Sequence, residues 1–388
     1  MDLGPDLLTD AEALRAADHV GVVAAVATAG AQVRSTADQV STIAFGRPRA
    51  LVVVDGDGTG DAELVGALLP SARVPVTWHA ELPSWAGALD LVAVLAASPD
   101  DAGAARAAAE AGRRGAQLAV RGAEHGAVAA AAGTALVPPK VAVPELAAGA
   151  GRLAFLLAVA AAADISAGVD EVHWDRLAEA LDAEALSCGP SAEPFVNPAL
   201  TLALHLTGGA GLLIADDPVG LAVARRGARA LRLLGGHLAA AQPAAGLLAG
   251  GQLPARMNGP TDLFADPDAD GQHDVRPVGV LIPPPDGRDE RAAASVAALA
   301  RSLPRAPVLA PDGPVDPGVT GAVTAAAALA LRIEFTAAYL GIAAGQVPPA
   351  DGPDGLGPSG GARVVRPATT VEGVTSDDLD ISGDRPWS

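Results

Sequence analysis

The chain has 388 residues, a net charge of −19 and one cysteine; half of its residues are hydrophobic, yet only 3% are aromatic. So large an acidic excess excludes a basic footprint for nucleic acid or for an anionic membrane surface. The lone Cys188 excludes an intramolecular disulfide and a cysteine-built metal centre, and the core must come from many small Ala, Leu and Val contributions, closely packed.

The first segment, MDLGPDLLTDAEALRAADHV, lacks the basic and then apolar order of a secretory signal. It predicts a helix with Thr9 or Asp10 at its cap and Glu12 in the favourable first turn. A second helical stretch runs over 22–43. Arg49–Asp55 is a short apolar run entering glycines, the pattern of a buried parallel strand. Helix 62–69, strands 74–78 and 89–95, helix 102–113 and strand 117–120 follow. After Pro138-Pro139 the chain turns helical, over 145–165 and 171–185. Its apolar part, Leu153–Ala163, is too short to cross a bilayer.

A second alternation begins with strand 211–215, then helix 218–237, strand 278–282 and helix 291–303. The last helix, 319–344, is apolar on all sides up to Arg332 and Glu334, so burial between domains or subunits is expected. From Pro348 onward Gly, Pro, Ser and Asp dominate, and a disordered tail is expected. The pattern predicts an α/β protein with two parallel sheets flanked by helices, each half a flavodoxin-like three-layer sandwich. The expected boundaries are N-terminal helices 1–45, a first α/β subdomain 46–140, a helical connector 141–205, a second subdomain 206–347 and the tail 348–388. A soluble, cytoplasmic protein with no membrane partner is expected.

Five stretches carry a family resemblance: GAQVRS (30–35), RPRALVVVDGDGTGD (47–61), LPSWAGALDLVAV (82–94), SAEPFVNPALTLAL (191–204) and EFTAAYLGIAAGQVPP (334–349). Together they resemble the SIS (sugar isomerase) domain proteins, of the actinobacterial bifunctional phosphoglucose/phosphomannose isomerase type. The acidic FADPDAD segment (264–270) is similar to one in a catalytically degenerate, TobH-like branch. The resemblance implies tandem SIS subdomains, a sugar phosphate in the cleft between them, a homodimer, and neither cofactor nor metal. In active members a carboxylate and an acid/base histidine move a proton between C1 and C2 through an enediol, with an arginine steadying the developing charge.

The same resemblance implies two phosphate loops. The first is Gly56–Gly60, where Thr59 matches a family serine and Gly58 and Gly60 let backbone approach an oxyanion; an ordinary tight turn explains it as well. The second is VLAASPDDAG (94–103), set against a Ser-x-Ser-Gly-x-Thr pattern. Ser98 is retained, while Asp101 replaces a threonine. A lost donor to a charged group forfeits about 1.5–3 kcal/mol, and a carboxylate about 4 Å from a phosphate charge adds repulsion of about 4 kcal/mol at a dielectric near 20. Ser98, Asp100 and Asp101 have a second explanation, as candidate caps of the helix starting near Ala102.

The catalytic positions are missing from the sequence pattern. No Asp or Glu occurs between Asp217 and Asp262; the family glutamate falls near Leu233, the histidine near Gly250 and the arginine near Leu146. His79 and His237 are possible cleft residues, with packed or helix-end roles as their alternatives. Arg225, Arg229 and Arg232 share one helical face, for solvent or the acidic excess, with an anion site as the alternative. Asn197-Pro198 matches the family's NPA turn and equally begins a helix. His273 with Asp266, Asp268 and Asp270 reads as an acidic loop, not a calcium site; Cys188 has no activating neighbour in sequence. The expectation is a non-catalytic pseudoenzyme or regulator that binds a sugar phosphate or related carbohydrate derivative through Gly58, Thr59, Gly60, Ser98 and Asp101. An isomerase using other residues and a structural subunit without a small ligand are the alternatives.

Overall fold

The computed structural model describes residues 5–69, 72–166, 172–250, 257 and 276–346. The expectations for the acidic segment 264–274 and for the tail after Pro348 lie outside the described residues.

Three short helices open the fold: α1 (Ala11–Ala17), α2 (Val22–Val26) and α3 (Ala29–Ser41). Asp10 is the cap of α1, accepting the Glu12 and Ala13 amides at 3.0 Å. The helix expected over 22–43 is interrupted, because the Thr28 hydroxyl bonds back to the Ala25 carbonyl at 2.7 Å, a local competitor of the helical ladder.

The first alternation gives β1 (Leu51–Asp55), α4 (Asp61–Leu68), β2 (Val76–His79), β3 (Leu91–Leu95), α5 (Ala102–Arg113), β4 (Gln117–Arg121), α6 (Gly126–Ala132) and β5 (Leu136–Val137). The strands form one parallel sheet in the order β2-β1-β3-β4-β5. A connector follows: α7 (Gly149–Ala162), α8 (Trp174–Cys188) and α9 (Pro198–Leu206). α7 starts later than expected, after a separate 3₁₀ turn at Glu145–Ala147.

The second alternation comprises β6 (Ala210–Ala215), α10 (Pro218–Leu233), β7 (Ala239–Pro243), α11 (Ala244–Gly250), β8 (Pro277–Leu281), α12 (Glu290–Ser302) and α13 (Val319–Ala343). Its parallel sheet has the order β7-β6-β8, which repeats the β2-β1-β3 arrangement of the first half. Strand β7 has no signal in the sequence: AAAQP contains no β-branched or aromatic residue, and only its ladder with Gly211–Ala215 holds it extended.

Each sheet is covered on both faces. The inner face of both contributes to a single large core with α3, α7, α8, α9 and α13. The outer face of the first sheet packs on α5 and α6, and that of the second on α11 and α12. α13 is long and apolar enough to cross a membrane by composition, but 94% of its apolar window is buried inside the fold, so it is a core helix. Its charges are paired: Arg332 holds both oxygens of Glu184, at 2.6 and 2.9 Å.

Candidate functional site

β1 and β3 are adjacent and parallel, with Asp55 opposite Leu95 at their carboxyl ends. The strand order reverses here, since β2 lies on one side of β1 and β3 on the other. Crevices at such switch points are where open α/β sheets bind ligands. The two loops singled out in the sequence, 56–60 and 96–101, leave the sheet side by side at this point.

In the first loop Gly58 and Gly60 have φ of 59° and 83°, values that favour glycine. A Cβ on Gly60 would also lie 3.2 Å from the Arg226 Cα. Thr59 faces Asp55 rather than open space: its amide donates to Asp55 Oδ2 at 2.5 Å and its hydroxyl to the same oxygen at 2.7 Å. Burial pushes the Asp55 carboxyl above its ordinary pKa, and the Thr59 hydroxyl restrains that rise. Arg229, half-buried on α10, feels the opposing charge of Asp55 and Asp57.

The second loop is arranged alike. Asp101 caps α5 by accepting the Ala104 amide at 2.9 Å, and its other oxygen accepts the Ala97 amide at 3.2 Å. Asp100 accepts the Ala127 amide at 3.0 Å, joining the loop to α6. Ser98 is exposed, and its hydroxyl has no hydrogen-bond partner among the described residues. In both loops a carboxylate of the chain itself therefore occupies donors that an oxyanion would use.

Below the first loop lies a chain of buried charges absent from the sequence reading as a unit. Asp61 begins α4 and is fully buried. Its Oδ2 accepts Arg152 Nε from α7 and its Oδ1 accepts Arg226 Nε from α10, each at 2.6 Å. Arg152 continues to Glu145 at 2.8 Å, and Arg226 to Glu334 on α13 at 2.6 Å. Burial alone would raise the Asp61 pKa, but Arg226 and Arg152 outweigh it and hold the carboxyl at about 2. Both of its oxygens are spent on guanidinium groups, so Asp61 is a poor proton acceptor. Close approach makes the network possible: a Cβ on Gly149 would overlap Glu334 Oε1 and Arg226 Nη2.

The remaining candidates are dispersed. His79 ends the edge strand β2 opposite Val54, a member of the outer core, and its ring stands edge-on to Trp85 at 6.0 Å. It thus faces away from the inner side that carries Asp55. His237 lies beside Gly211 at the amino end of β6, the far end of that sheet from a carboxyl-end crevice. Among the three arginines expected on one face, Arg225 pairs with Glu63 and Arg232 donates to the Ala239 carbonyl. Arg226, which sequence reasoning passes over, is the buried one; its place beside Val223 and Gly227 on the apolar face is the available signal. Asn197 caps α9, its Oδ1 accepting the Ala199 and Leu200 amides at 3.0 Å. Cys188 is buried against Glu184, and burial pushes its thiol pKa well up. Among the described residues no cluster of His, Cys, Asp and Glu is arranged to hold a metal.

No family model and no curated protein matches the chain. Solved structures do. A candidate phosphosugar isomerase from Bacillus subtilis aligns at 13% identity and a TM-score of 0.56, over 81% of this chain and 94% of that one. A hypothetical protein from Thermus thermophilus aligns at 15% identity and 0.60, over 88% and 90%. A candidate phosphosugar isomerase from Silicibacter pomeroyi aligns at 16% and 0.51, over 84% and 97%. At such identities the likeness establishes the fold: the chain has the tandem α/β architecture of these structures.

Proposed function

We propose that this protein binds a carbohydrate derivative of the sugar-phosphate class in the crevice at the carboxyl ends of β1 and β3, and does not isomerise it. Its role is then binding or regulation, as a cytoplasmic homodimer of the degenerate, TobH-like branch that the sequence resembles. The fold shared with phosphosugar isomerase-like structures supports the ligand class.

One observation carries the reading: the donors of both loops are held by the chain's own carboxylates, Asp55 on Thr59 and Asp101 on Ala97 and Ala104. A phosphate placed against either would face repulsion of about 4 kcal/mol at 4 Å and a dielectric near 20, so in this reading the ligand's sugar hydroxyls meet the two loops and its phosphate lies away from them. Sugar hydroxyls are donors, and Asp55, Asp101 and the free Ser98 hydroxyl suit them. Proton transfer between carbons needs a carboxylate with an accessible lone pair and a suitable pKa. Asp61 is fully paired and holds its proton only near pH 2, and helix α10 carries no carboxylate.

Thermal unfolding across free sugars, sugar phosphates and nucleotide sugars tests this. A specific ligand at about 100 times its Kd adds about 2.7 kcal/mol of stability. A saturable rise with one class, lost in D55A/D101A, is expected; no rise with any member overturns the binding claim. Asp55 favours one alternative, an active isomerase, because its pKa is raised and such a carboxyl can exchange protons nearer neutrality. Turnover of fructose 6-phosphate that D55N abolishes would establish that alternative.

A further inference from the structure

Arg121 ends β4 and is only 5% exposed, yet no carboxylate pairs with it among the described residues. Its Nε is buried without a hydrogen-bond partner. Burying an unpaired guanidinium costs several kcal/mol, and five donors in a fixed fork call for an oxyanion. The two carboxylates whose charge acts on it, Glu145 and Asp61, are both already bonded to Arg152.

Its surroundings are built for an anion. Arg121 lies in the same row of the sheet as Leu95, which in turn is opposite Asp55. At about 4.8 Å per strand, it stands about 10 Å from Asp55 on the same inner face. Its Nη2 comes within 3.0 Å of where a Gly151 Cβ would be, so glycine there admits the guanidinium to the first turn of α7. That helix is 14 residues long and has no side-chain cap. Gln32 Oε1 takes the Gly151 amide at 3.1 Å, while the amides of Gly149 and Ala150 have no acceptor among the described residues. The helix start thus adds free donors and the positive end of its dipole.

We propose that Arg121 and the amino end of α7 form an oxyanion site, for a phosphate monoester or a carboxylate, separate from the β1 and β3 loops. Arg121 takes the anion through its fork, and the α7 amides complete the cradle. The site requires neither Thr59 nor Ser98, so it stands or falls independently of the crevice described above.

Calorimetric titration of the full chain with inorganic phosphate and, separately, acetate, at ionic strength matched with sodium chloride, decides the matter. At least one ion binds the wild-type chain; R121M weakens it tenfold or more, and T59V leaves it unchanged. Phosphate alone assigns a phosphate monoester, acetate alone a carboxylate. In chloride R121M is at least as stable as wild type, as removal of an unpaired buried charge requires. Binding unaffected by R121M, binding lost in T59V instead, or no binding of either ion overturns the proposal. Should R121M not fold, wild-type crystals soaked in selenate provide the answer: an anomalous peak within hydrogen-bond distance of Arg121 supports the site, and its absence rejects it.

Discussion

Asp61→Asn removes the central anion of the buried chain while keeping the shape of the side chain. Asp61 is held at a pKa of about 2 against an ordinary 3.8, which corresponds to about 2 kcal/mol of folding stability. Breaking a buried pair from one side costs about 3–5 kcal/mol; here Arg152 keeps Glu145 and Arg226 keeps Glu334, which places the loss near the lower end, about 3 kcal/mol. Because the folded pKa is depressed, the contribution is complete above the ordinary value and disappears as pH falls through about 2. Urea unfolding of wild type and D61N at pH 7 and at progressively lower pH measures both features. The gap between the two should be about 2–3 kcal/mol at pH 7 and shrink as pH falls from about 4 toward about 2. A double cycle with R152M should give a coupling of about 0.5–3 kcal/mol. D61N as stable as wild type at pH 7, or a gap unchanged down to the lowest pH, would refute the network as a determinant of stability.

Further outcomes follow from close contacts. Gly149→Ala should destabilise the protein by about 2 kcal/mol or more in thermal unfolding, reversing the gain of up to about 1 kcal/mol usual for this change in a helix, because its Cβ displaces the Arg226–Glu334 pair. Asn197→Ala removes a cap and leaves the Cys188 carbonyl with one donor fewer; a loss of about 2–4 kcal/mol in urea is expected, and a loss under about 0.5 would contradict the bonding described. Cys188 should resist a thiol reagent at pH 8 in the native protein and react at once in urea, since it is buried and its pKa is raised. Rapid native labelling would show that the α8–α9 region opens readily.

Much of the architecture can be read from the chain because it depends on local pattern. LVVVD, LVAVL and GLLIA are apolar runs short enough for buried parallel strands, and Asp101 before an alanine-rich helix is a cap by composition alone. Other features depend on partners distant in sequence. Asp61 and Arg226 are 165 residues apart, and neither announces the other. Strand β7 exists only through its ladder. The Asp55–Thr59 bond reverses the apparent meaning of GDGTG, because the glycines that admit an oxyanion here let the loop fold onto an internal carboxylate. His237 ends the expected helix 218–237 and reads as a helix-end residue or a possible cleft one, whereas the helix stops at Leu233 and the turn after it carries His237 to the amino end of β6. Arg121 lies just past the expected strand 117–120 with nothing in the sequence to mark it, and only the structure shows its buried, unpartnered Nε.

The central claim is a crevice that binds without turning over. A coupled assay of purified protein with fructose 6-phosphate, reporting glucose 6-phosphate and mannose 6-phosphate, tests it most directly. The expected result is no product above the enzyme-free control at any substrate concentration that saturates binding. Clear turnover, abolished by D55N or by substitution of Thr59, would contradict it.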